Sequence, residues 1–254
     1  MMDFYFFTSK FDLIEELDEV GFHGALFTYN VKQSDFFTRI AKKISPETRI
    51  KYMVAIRPYV ISPQYLCMIN DSLNEIAEKR LQINLISGHI KDEEHYFGGI
   101  LGEVNDHSSS IERSKYLIEY VDMLESMNTT IPDYYVSVTN EFTFATASKY
   151  NSKMIIQYSQ YMNNFYDTKD KRVMISVTPI LRKNKEDLEL AAIPGVQHRA
   201  DMDKFTYEEF YDIVKGLNSK GINQVIFSSW SDEETRYIID FVKYYKEKDR
   251  STIK

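Results

Sequence analysis

The chain lacks several features that would narrow its class at once. A single cysteine, Cys67, excludes an intramolecular disulfide and any metal site built from several cysteines, and it fits a reducing compartment. No run approaches the ~20 apolar residues of a membrane span, and the first ten residues lack the basic start and long apolar core of a signal peptide. We therefore expect a cytoplasmic protein that does not bind membranes.

Positive charge is also in short supply. The 31 Lys and Arg residues against 38 Asp and Glu residues give a formal net charge of -7, which argues against nucleic acid as a partner. A run of cations near the end, Lys243, Lys246, Lys248 and Arg250, is typical of a solvated helix end, where positive charge suits the helix dipole.

Common catalytic signatures are missing as well. The sequence contains no Gly-x-Ser-x-Gly, no phosphate-binding Walker loop and no Gly-x-Gly-x-x-Gly, which disfavours esterase, nucleotide-kinase and Rossmann functions. His89 and His95 share a segment with the carboxylates at 92–94, but their spacing matches no standard zinc motif, so we predict no metal.

Short β-rich runs instead alternate with amphipathic stretches along all 254 residues, the pattern of a parallel sheet with crossover helices. This alternation predicts an α/β fold, a single (β/α)₈ TIM barrel that forms one domain over residues 1–254. The predicted strands are Asp3 to Thr8, Gly24 to Thr28, Lys51 to Ile56, Leu81 to Ile86, Tyr134 to Val138, Met154 to Gln157, Val173 to Ile180 and Gln224 to Phe227. The 19 Tyr and 16 Phe leave open an aromatic-lined site or a bias in codon usage.

Helix boundaries carry recognisable signals. Gly21 is expected to end the first helix and Pro63 to open the third. Thr206-x-x-Glu209 and Ser231-x-x-Glu234 both match the capping box that satisfies N–H groups at a helix start.

In such a barrel the chemistry lies in the loops that follow the strands. Where the fifth strand turns into a helix, Ser137-Val-Thr-Asn140 would bring hydroxyls, an amide and free N–H groups to the positive end of that helix, which predicts a phosphate site. The alternative is that Thr139 or Asn140 simply caps its helix. Ser228-Ser229 presents the same pair of interpretations.

Longer stretches resemble the luciferase-like flavin-dependent monooxygenases, most closely their alkanesulfonate branch. These are Met53-Val-Ala-Ile-Arg-Pro58, Ile61-Ser-Pro63, Arg80-Leu-Gln-Ile-Asn-Leu-Ile-Ser-Gly88, Asp106-His107 with Glu112-Arg113, Tyr135-Val-Ser-Val-Thr-Asn140 and Lys220-Gly-Ile-Asn-Gln-Val-Ile-Phe227. Lys79 stands where the family has Gly before Arg80.

The resemblance implies reduced FMN bound at the mouth of the barrel, supplied by a separate flavin reductase, and a homodimer. It implies cofactor contacts from Thr28, Arg57, Ser87, Gly88, Ser137, Thr139 and Asn140, and catalytic contacts from His89, His107 and Arg113. The substrate would be a small or carrier-bound organic molecule.

The departures from the family bear on the reaction. Ser176 and Thr178 occupy the positions of an Arg-x-His pair, so alkanesulfonate is not the expected substrate. His107 and Arg113 lie three residues further apart than the family pattern, and Ser114 replaces its Tyr. The region from Leu181 to Lys204, between the last two strands, is shorter than in relatives that carry a mobile lid.

Three functions therefore remain open. The first is an FMN-dependent monooxygenase of a two-component system, the second a non-enzymatic flavin-binding barrel, and the third an unrelated barrel enzyme. A deazaflavin is the main alternative to FMN as the cofactor, and it would make the protein a deazaflavin-dependent oxidoreductase.

Overall fold

Eight strands close into a barrel in the computed structural model, which describes residues 2–29, 33–88, 110–191 and 203–252. In barrel order they are β1 (Asp3–Phe7), β2 (Gly24–Thr28), β3 (Lys51–Ile56), β4 (Leu81–Leu85), β5 (Asp133–Ser137), β6 (Lys153–Gln157), β7 (Val173–Val177) and β10 (Gln224–Phe227). Two further strands, β8 (Ile180–Arg182) and β9 (Lys204–Thr206), pair in a separate sheet. The (β/α)₈ barrel predicted from the alternation is confirmed.

Helices follow most of the strands. They are α1 (Ile14–Val20), α2 (Phe36–Lys43), α3 (Pro63–Ile76), α4 (Ser110–Ser126), α5 (Glu141–Lys149), α6 (Tyr158–Met162), α7 (Lys185–Leu190), α8 (Tyr207–Ser219) and α9 (Asp232–Thr252), with a 3₁₀ turn at Phe11–Leu13. Gly21 ends α1 in the left-handed conformation and Pro63 opens α3, as expected. Within the described ranges, no helix combines the length and apolar character needed to cross a bilayer.

One predicted strand is wrong in its extent. Val173 to Ile180 was expected to form a single strand, but β7 ends at Val177 and a new strand, β8, begins at Ile180. Pro179 lies between them, and proline has no N–H group with which to continue a strand ladder. β8 then pairs in parallel with β9 instead of continuing β7.

Contacts within the chain define two compact units, unit 1 (Met1–Ala25 and Met174–Lys254) and unit 2 (Leu26–Val173). In unit 2, β3 to β6 pair in parallel, with Ile56 opposite Leu85, Leu85 opposite Val136 and Ser137 opposite Ile155. These matched positions place the carboxyl ends of the strands side by side.

Arg80 fixes the amino end of this strand group. Its Nε donates to the carbonyl of Ile50 at 2.9 Å, its Nη1 to the carbonyl of Ser45 at 3.3 Å and its Nη2 to Oγ1 of Thr48 at 3.0 Å. A planar guanidinium with several donors suits such a convergence of acceptors. This residue of the family-like segment therefore holds the loop before β3.

Unit 1 has a core of aromatic side chains. The ring centroids of Phe4 and Tyr245 are 5.0 Å apart, those of Phe210 and Phe241 are 5.1 Å apart, and Phe4 and Phe227 stack at 5.7 Å. All five rings are buried. These aromatics pack in a core and do not line an open site.

The two predicted capping boxes have different outcomes. Thr206 and Glu209 form the full reciprocal box at the start of α8. At the start of α9, Ser231 accepts from the N–H of Glu234 at 3.2 Å, but the Glu234 carboxylate turns away. It forms a buried bidentate ion pair with Arg182 of β8, at 2.6 and 2.9 Å, because that partner is stronger than a backbone N–H group.

The cationic run near the end is not simply a solvated helix end. Lys246 Nζ donates to the carbonyls of Val20, at 3.2 Å, and Gly21, and so caps the last turn of α1. Lys248 pairs with Glu208 and lies 4.1 Å from the ring centre of Tyr211. Residues of this run therefore join α9 to other elements of unit 1.

Lys79 generates a prediction about stability. Its φ of +56° lies in the left-handed region, and its N–H donates to Oδ1 of Asn74 at 2.9 Å. A side chain with Cβ is strained there, which explains why a Gly suits this position. Lys79→Gly should raise the free energy of unfolding by about 0.5 to 1 kcal/mol, measured by urea denaturation. Lys79→Ala, which keeps Cβ, is the control and should give no such gain; equal effects of the two variants would contradict the interpretation.

Candidate functional site

Polar residues of unit 2 gather where β3, β4 and β5 end. Arg57 directly follows β3, Ser87 lies two residues after β4, and Ser137 is the last residue of β5. Since the register aligns these strand ends, residues far apart in the sequence become neighbours. Three of the predicted cofactor contacts therefore lie along one edge of this unit.

Ser87, Thr139 and Arg113 come together at this edge. The hydroxyl oxygens of Ser87 and Thr139 are 3.5 Å apart, and Nε of Arg113 donates to the carbonyl of Ser87 at 3.1 Å. Arg113 lies in the first turn of α4 and is half-buried, Ser87 is buried and Thr139 is exposed. A guanidinium and two hydroxyls thus converge on one place, from segments that the sequence separates by up to 52 positions.

Asn140 caps helix α5. Its Oδ1 accepts from the N–H of Thr143 at 3.0 Å, and Oγ1 of Thr143 accepts from the N–H groups of Thr139 and Asn140 at 3.0 and 3.1 Å. The capping interpretation therefore describes what Asn140 does in the structure. The signal that sequence reasoning missed is Thr143, three residues after the cap, which completes a capping box.

The cap is tied to a buried residue of another helix. Nδ2 of Asn140 donates to Oγ of Ser114 at 3.0 Å, and Ser114 is completely buried. Ser114 is the residue that replaces the family's Tyr, so this departure has a structural role here. It connects the start of α5 to the helix that carries Arg113.

The start of α5 still offers donors to a ligand. Glu141 and Phe142 supply the first two N–H groups of this nine-residue helix, and neither N–H has an acceptor among the described residues. Such groups favour an anion, as does the helix dipole. The exposed carboxylate of Glu141 opposes this effect, whereas the cation of Arg113 supports it.

Two of the predicted cofactor contacts, Ser137 and Arg57, already form hydrogen bonds within the protein. Ser137 Oγ donates to Oδ1 of Asn84, a buried residue of β4, at 2.9 Å. Arg57 is 1% exposed. Its Nη2 donates at 2.9 Å to the carbonyl of Tyr29, the residue that follows β2. Thr28, the last residue of β2, is half-buried. Arg57 and Ser137 therefore have structural partners already, in addition to any ligand.

Of the remaining predicted site residues, the structure describes Gly88 but neither His89 nor His107. Gly88 is exposed, and a Cβ atom built there would meet no atom within 4 Å, so the backbone beside Ser87 is accessible. His89 and His107 lie outside the described residues, as does the segment with His95 that was considered for metal binding. In the described ranges, no group of three or more His, Cys, Asp or Glu side chains is placed to hold a metal ion.

A tyrosine near the start of α5 stays neutral. The ring of Tyr166 stacks on Phe144, with centroids 4.9 Å apart. Burial raises the pKa of Tyr166, and the carboxylate of Glu141 raises it further. The phenol therefore keeps its proton at neutral pH and can donate a hydrogen bond.

The strand ends of unit 1 present hydroxyl pairs. Oγ1 of Thr178 lies 2.5 Å from Oγ of Ser228, and Oγ of Ser229 lies 2.8 Å from Oγ1 of Thr235. Helix α9 then starts with three acidic residues, Asp232 to Glu234, which disfavour a second anion at its N-terminus. Neither Ser228 nor Ser229 caps this helix, because Ser231 supplies the cap.

No protein-family model matches the sequence. Solved structures with a similar fold include the apo form of MsnO8, at 10% identity and a TM-score of 0.69, covering 97% of this chain and 99% of that one. An F420-dependent secondary alcohol dehydrogenase in complex with an F420–acetone adduct has 12% identity and a TM-score of 0.67, covering 96% and 98%. The oxygenating constituent of 3,6-diketocamphane monooxygenase from Pseudomonas putida, in complex with FMN, has 11% identity and a TM-score of 0.63, covering 95% and 96%. At these identities the likeness shows the fold, and it confirms the barrel that the resemblance to luciferase-like monooxygenases implies.

The cap of α5 generates the second prediction. Asn140→Ala removes the acceptor for Thr143 and the hydrogen bond to the buried Ser114, so the free energy of unfolding should fall by about 1 to 2 kcal/mol. Asn140→Asp keeps the acceptor for Thr143 and should recover part of this loss. Thermal or urea denaturation of the three proteins is the measurement; an unchanged stability of Asn140→Ala would show that the cap contributes little.

Proposed function

We propose that this protein is an FMN-dependent monooxygenase of a two-component system, which receives reduced FMN from a separate flavin reductase and oxidises a small or carrier-bound organic substrate. The observation that carries the proposal is the convergence of Arg113, Ser87 and Thr139 beside the N-terminus of α5. Its enzymatic character is supported by the oxidoreductases that share the fold.

The residues present fit the phosphate of a flavin nucleotide. A guanidinium binds phosphate through charge-assisted hydrogen bonds, and hydroxyls and helix N–H groups complete the donor set. Arg113, the hydroxyls of Ser87 and Thr139, and the N–H groups of Glu141 and Phe142 supply these donors. Asn140 acts indirectly, because it fixes the start of α5.

Each residue has a defined part in the proposal. Bound reduced FMN would supply the electrons that activate dioxygen, while the protein binds and orients the flavin. Arg113, which the resemblance gives as a catalytic contact, would instead bind the phosphate, and Arg57 and Thr28 at neighbouring strand ends remain predicted contacts to the cofactor. His107 and His89 remain predicted contacts to the substrate, and Gly88 and Ser137 remain predicted contacts to the cofactor.

A deazaflavin is the alternative cofactor, with an oxidoreductase reaction in place of oxygenation. The F420-dependent alcohol dehydrogenase that shares the fold favours this alternative. F420 also carries a phosphate group, so the same donor set would suit it. Comparing the dissociation constants of FMN and F420 would therefore distinguish the two cofactors.

A flavin-binding protein without oxygenase activity is the second candidate function. It is favoured by Ser176 and Thr178, which occupy the positions where the alkanesulfonate branch has its Arg-x-His pair, and Oγ1 of Thr178 lies 2.5 Å from Oγ of Ser228. A pair of hydroxyls supplies neither a fixed cation nor a general acid near neutral pH. This alternative predicts flavin binding without substrate-dependent oxygen uptake.

The homodimer belongs to the same proposal. A cavity of about 760 Å³ between α2 and α3 is lined by exposed apolar side chains that include Tyr65 and Met68. Exposed apolar surface of this kind favours a protein partner, and a second copy would cover it. The single-domain organisation and the cytoplasmic location likewise remain predictions.

Arg113 allows a test of the phosphate site. Arg113→Ala should weaken FMN binding roughly 10- to 100-fold, the effect of losing a charge-assisted hydrogen bond, and leave riboflavin binding within about twofold. Fluorescence titration gives both dissociation constants. Lys115→Ala, an exposed residue two positions along the same helix, is the matched control and should change neither. If both ligands weaken equally, Arg113 acts through its bond to Ser87 and not on phosphate.

Oxygenation is tested separately. Reduced FMN mixed with dioxygen should be reoxidised more slowly in the presence of the protein than in buffer, because an oxygenase shields the bound flavin from water. Stopped-flow absorbance measures the rate. Slow reoxidation supports the oxygenase, whereas tight FMN binding with reoxidation at the rate of free flavin supports the non-oxygenating alternative.

A further inference from the structure

A second cavity in unit 2 lies at the opposite ends of the strands from the candidate cofactor site. Its walls include the first residues of β4, β5 and β6, which are Leu81, Asp133 and Lys153. The volume is about 390 Å³, within the range of cavities that hold small molecules. No part of the proposed flavin function uses it.

Asn70 is the unusual residue of this cavity. It lies on α3 among the buried apolar residues Leu66, Cys67 and Leu73, and it is itself only 4% exposed. It lines the cavity, and its side-chain amide has no hydrogen-bond partner among the described residues. The amide is not among the described side-chain atoms that are fully buried without a partner, so its small exposed part offers a donor and an acceptor to a polar group in the cavity.

The charges around the cavity favour an anion. Its two carboxylates are already engaged, Asp133 with Lys153 and with Nε2 of Gln82 at 2.7 Å, and Glu125 with the hydroxyl of Tyr134. Lys79 and Arg172 also line the cavity, and neither forms an ion pair within the described ranges. A neutral hydroxyl leaves the charge of Glu125 in place, so the lining has three cations, Lys79, Lys153 and Arg172, against two carboxylates, a net charge of +1.

We propose that this cavity binds a small anion with a carboxylate or phosphate group, which pairs with Lys79 and Arg172 and accepts a hydrogen bond from the amide of Asn70. Charge-assisted bonds to the two cations supply the attraction, and the buried amide supplies selectivity for a ligand that reaches inside. Such a ligand would connect the segments that precede β4, β6 and β7, since Lys79, Asn151 and Arg172 all contribute to the walls.

Isothermal titration calorimetry with succinate and with inorganic phosphate, at constant ionic strength, tests this proposal. Saturable binding is expected for at least one of the two anions, and the stronger one identifies the group that the site prefers. The double variant Lys79→Gln with Arg172→Gln should weaken binding at least about tenfold. Both residues are exposed, so the variant is expected to fold. Asn70→Leu, which removes the amide from an apolar helix face, should weaken binding as well.

Two controls separate this site from others. Lys220→Gln, an exposed lysine in a helix-to-strand loop of unit 1, should leave binding unchanged. Arg113→Ala should also leave succinate binding unchanged, so that failure here and failure of the flavin proposal are distinguishable. Absence of saturable binding of both anions, or binding lost in Arg113→Ala but kept in the Lys79 and Arg172 double variant, would overturn the proposal.

Discussion

The parallel register of β3 to β6 determines where polar chemistry can lie in unit 2. Each strand is almost wholly buried, so most side chains along it must be apolar, and polar groups concentrate at the ends. Because Ile56, Leu85 and Val136 are matched across the pairs, the ends coincide. This constraint brings Ser87 to Thr139 and lets α4 place Arg113 beside them.

The same constraint creates two polar edges with different characters. At the carboxyl ends, hydroxyls, a guanidinium and the N–H groups of α5 form a donor-rich edge that suits a phosphate. At the amino ends, ion pairs and the guanidinium of Arg80 mainly hold loops in place. The cavity lined by Asn70 is an exception there, because its buried amide has no partner within the described part of the chain.

Much of the fold could be predicted from the sequence, and the reasons are visible in individual residues. The short run Gln224 to Phe227, with three apolar β-formers after a polar residue, predicts a strand, and its bounds are those observed. Pro179, by contrast, interrupts a run that is otherwise typical of one strand, and its effect was missed although the signal is local. The ion pair of Glu234 with Arg182 could not be predicted, because it joins residues 52 positions apart.

The helix cap at the candidate site could be predicted from the sequence, but its other interactions could not, and the anion site itself stays a prediction. The pattern Ser137 to Asn140 indicated both an anion site and a helix cap, and the structure shows how one residue serves the cap while its neighbours keep donors available. The partner Ser114 and the bond from Arg113 to Ser87 depend on the packing of α4, which the sequence does not reveal.

A crystal structure of the protein with FMN tests the central claim most directly. The account predicts the phosphate within hydrogen-bond distance of Arg113, Ser87 or Thr139, at the N-terminus of α5. A phosphate bound elsewhere, such as beside Ser228 to Ser231 in unit 1, or the absence of FMN at saturating concentration, would contradict it.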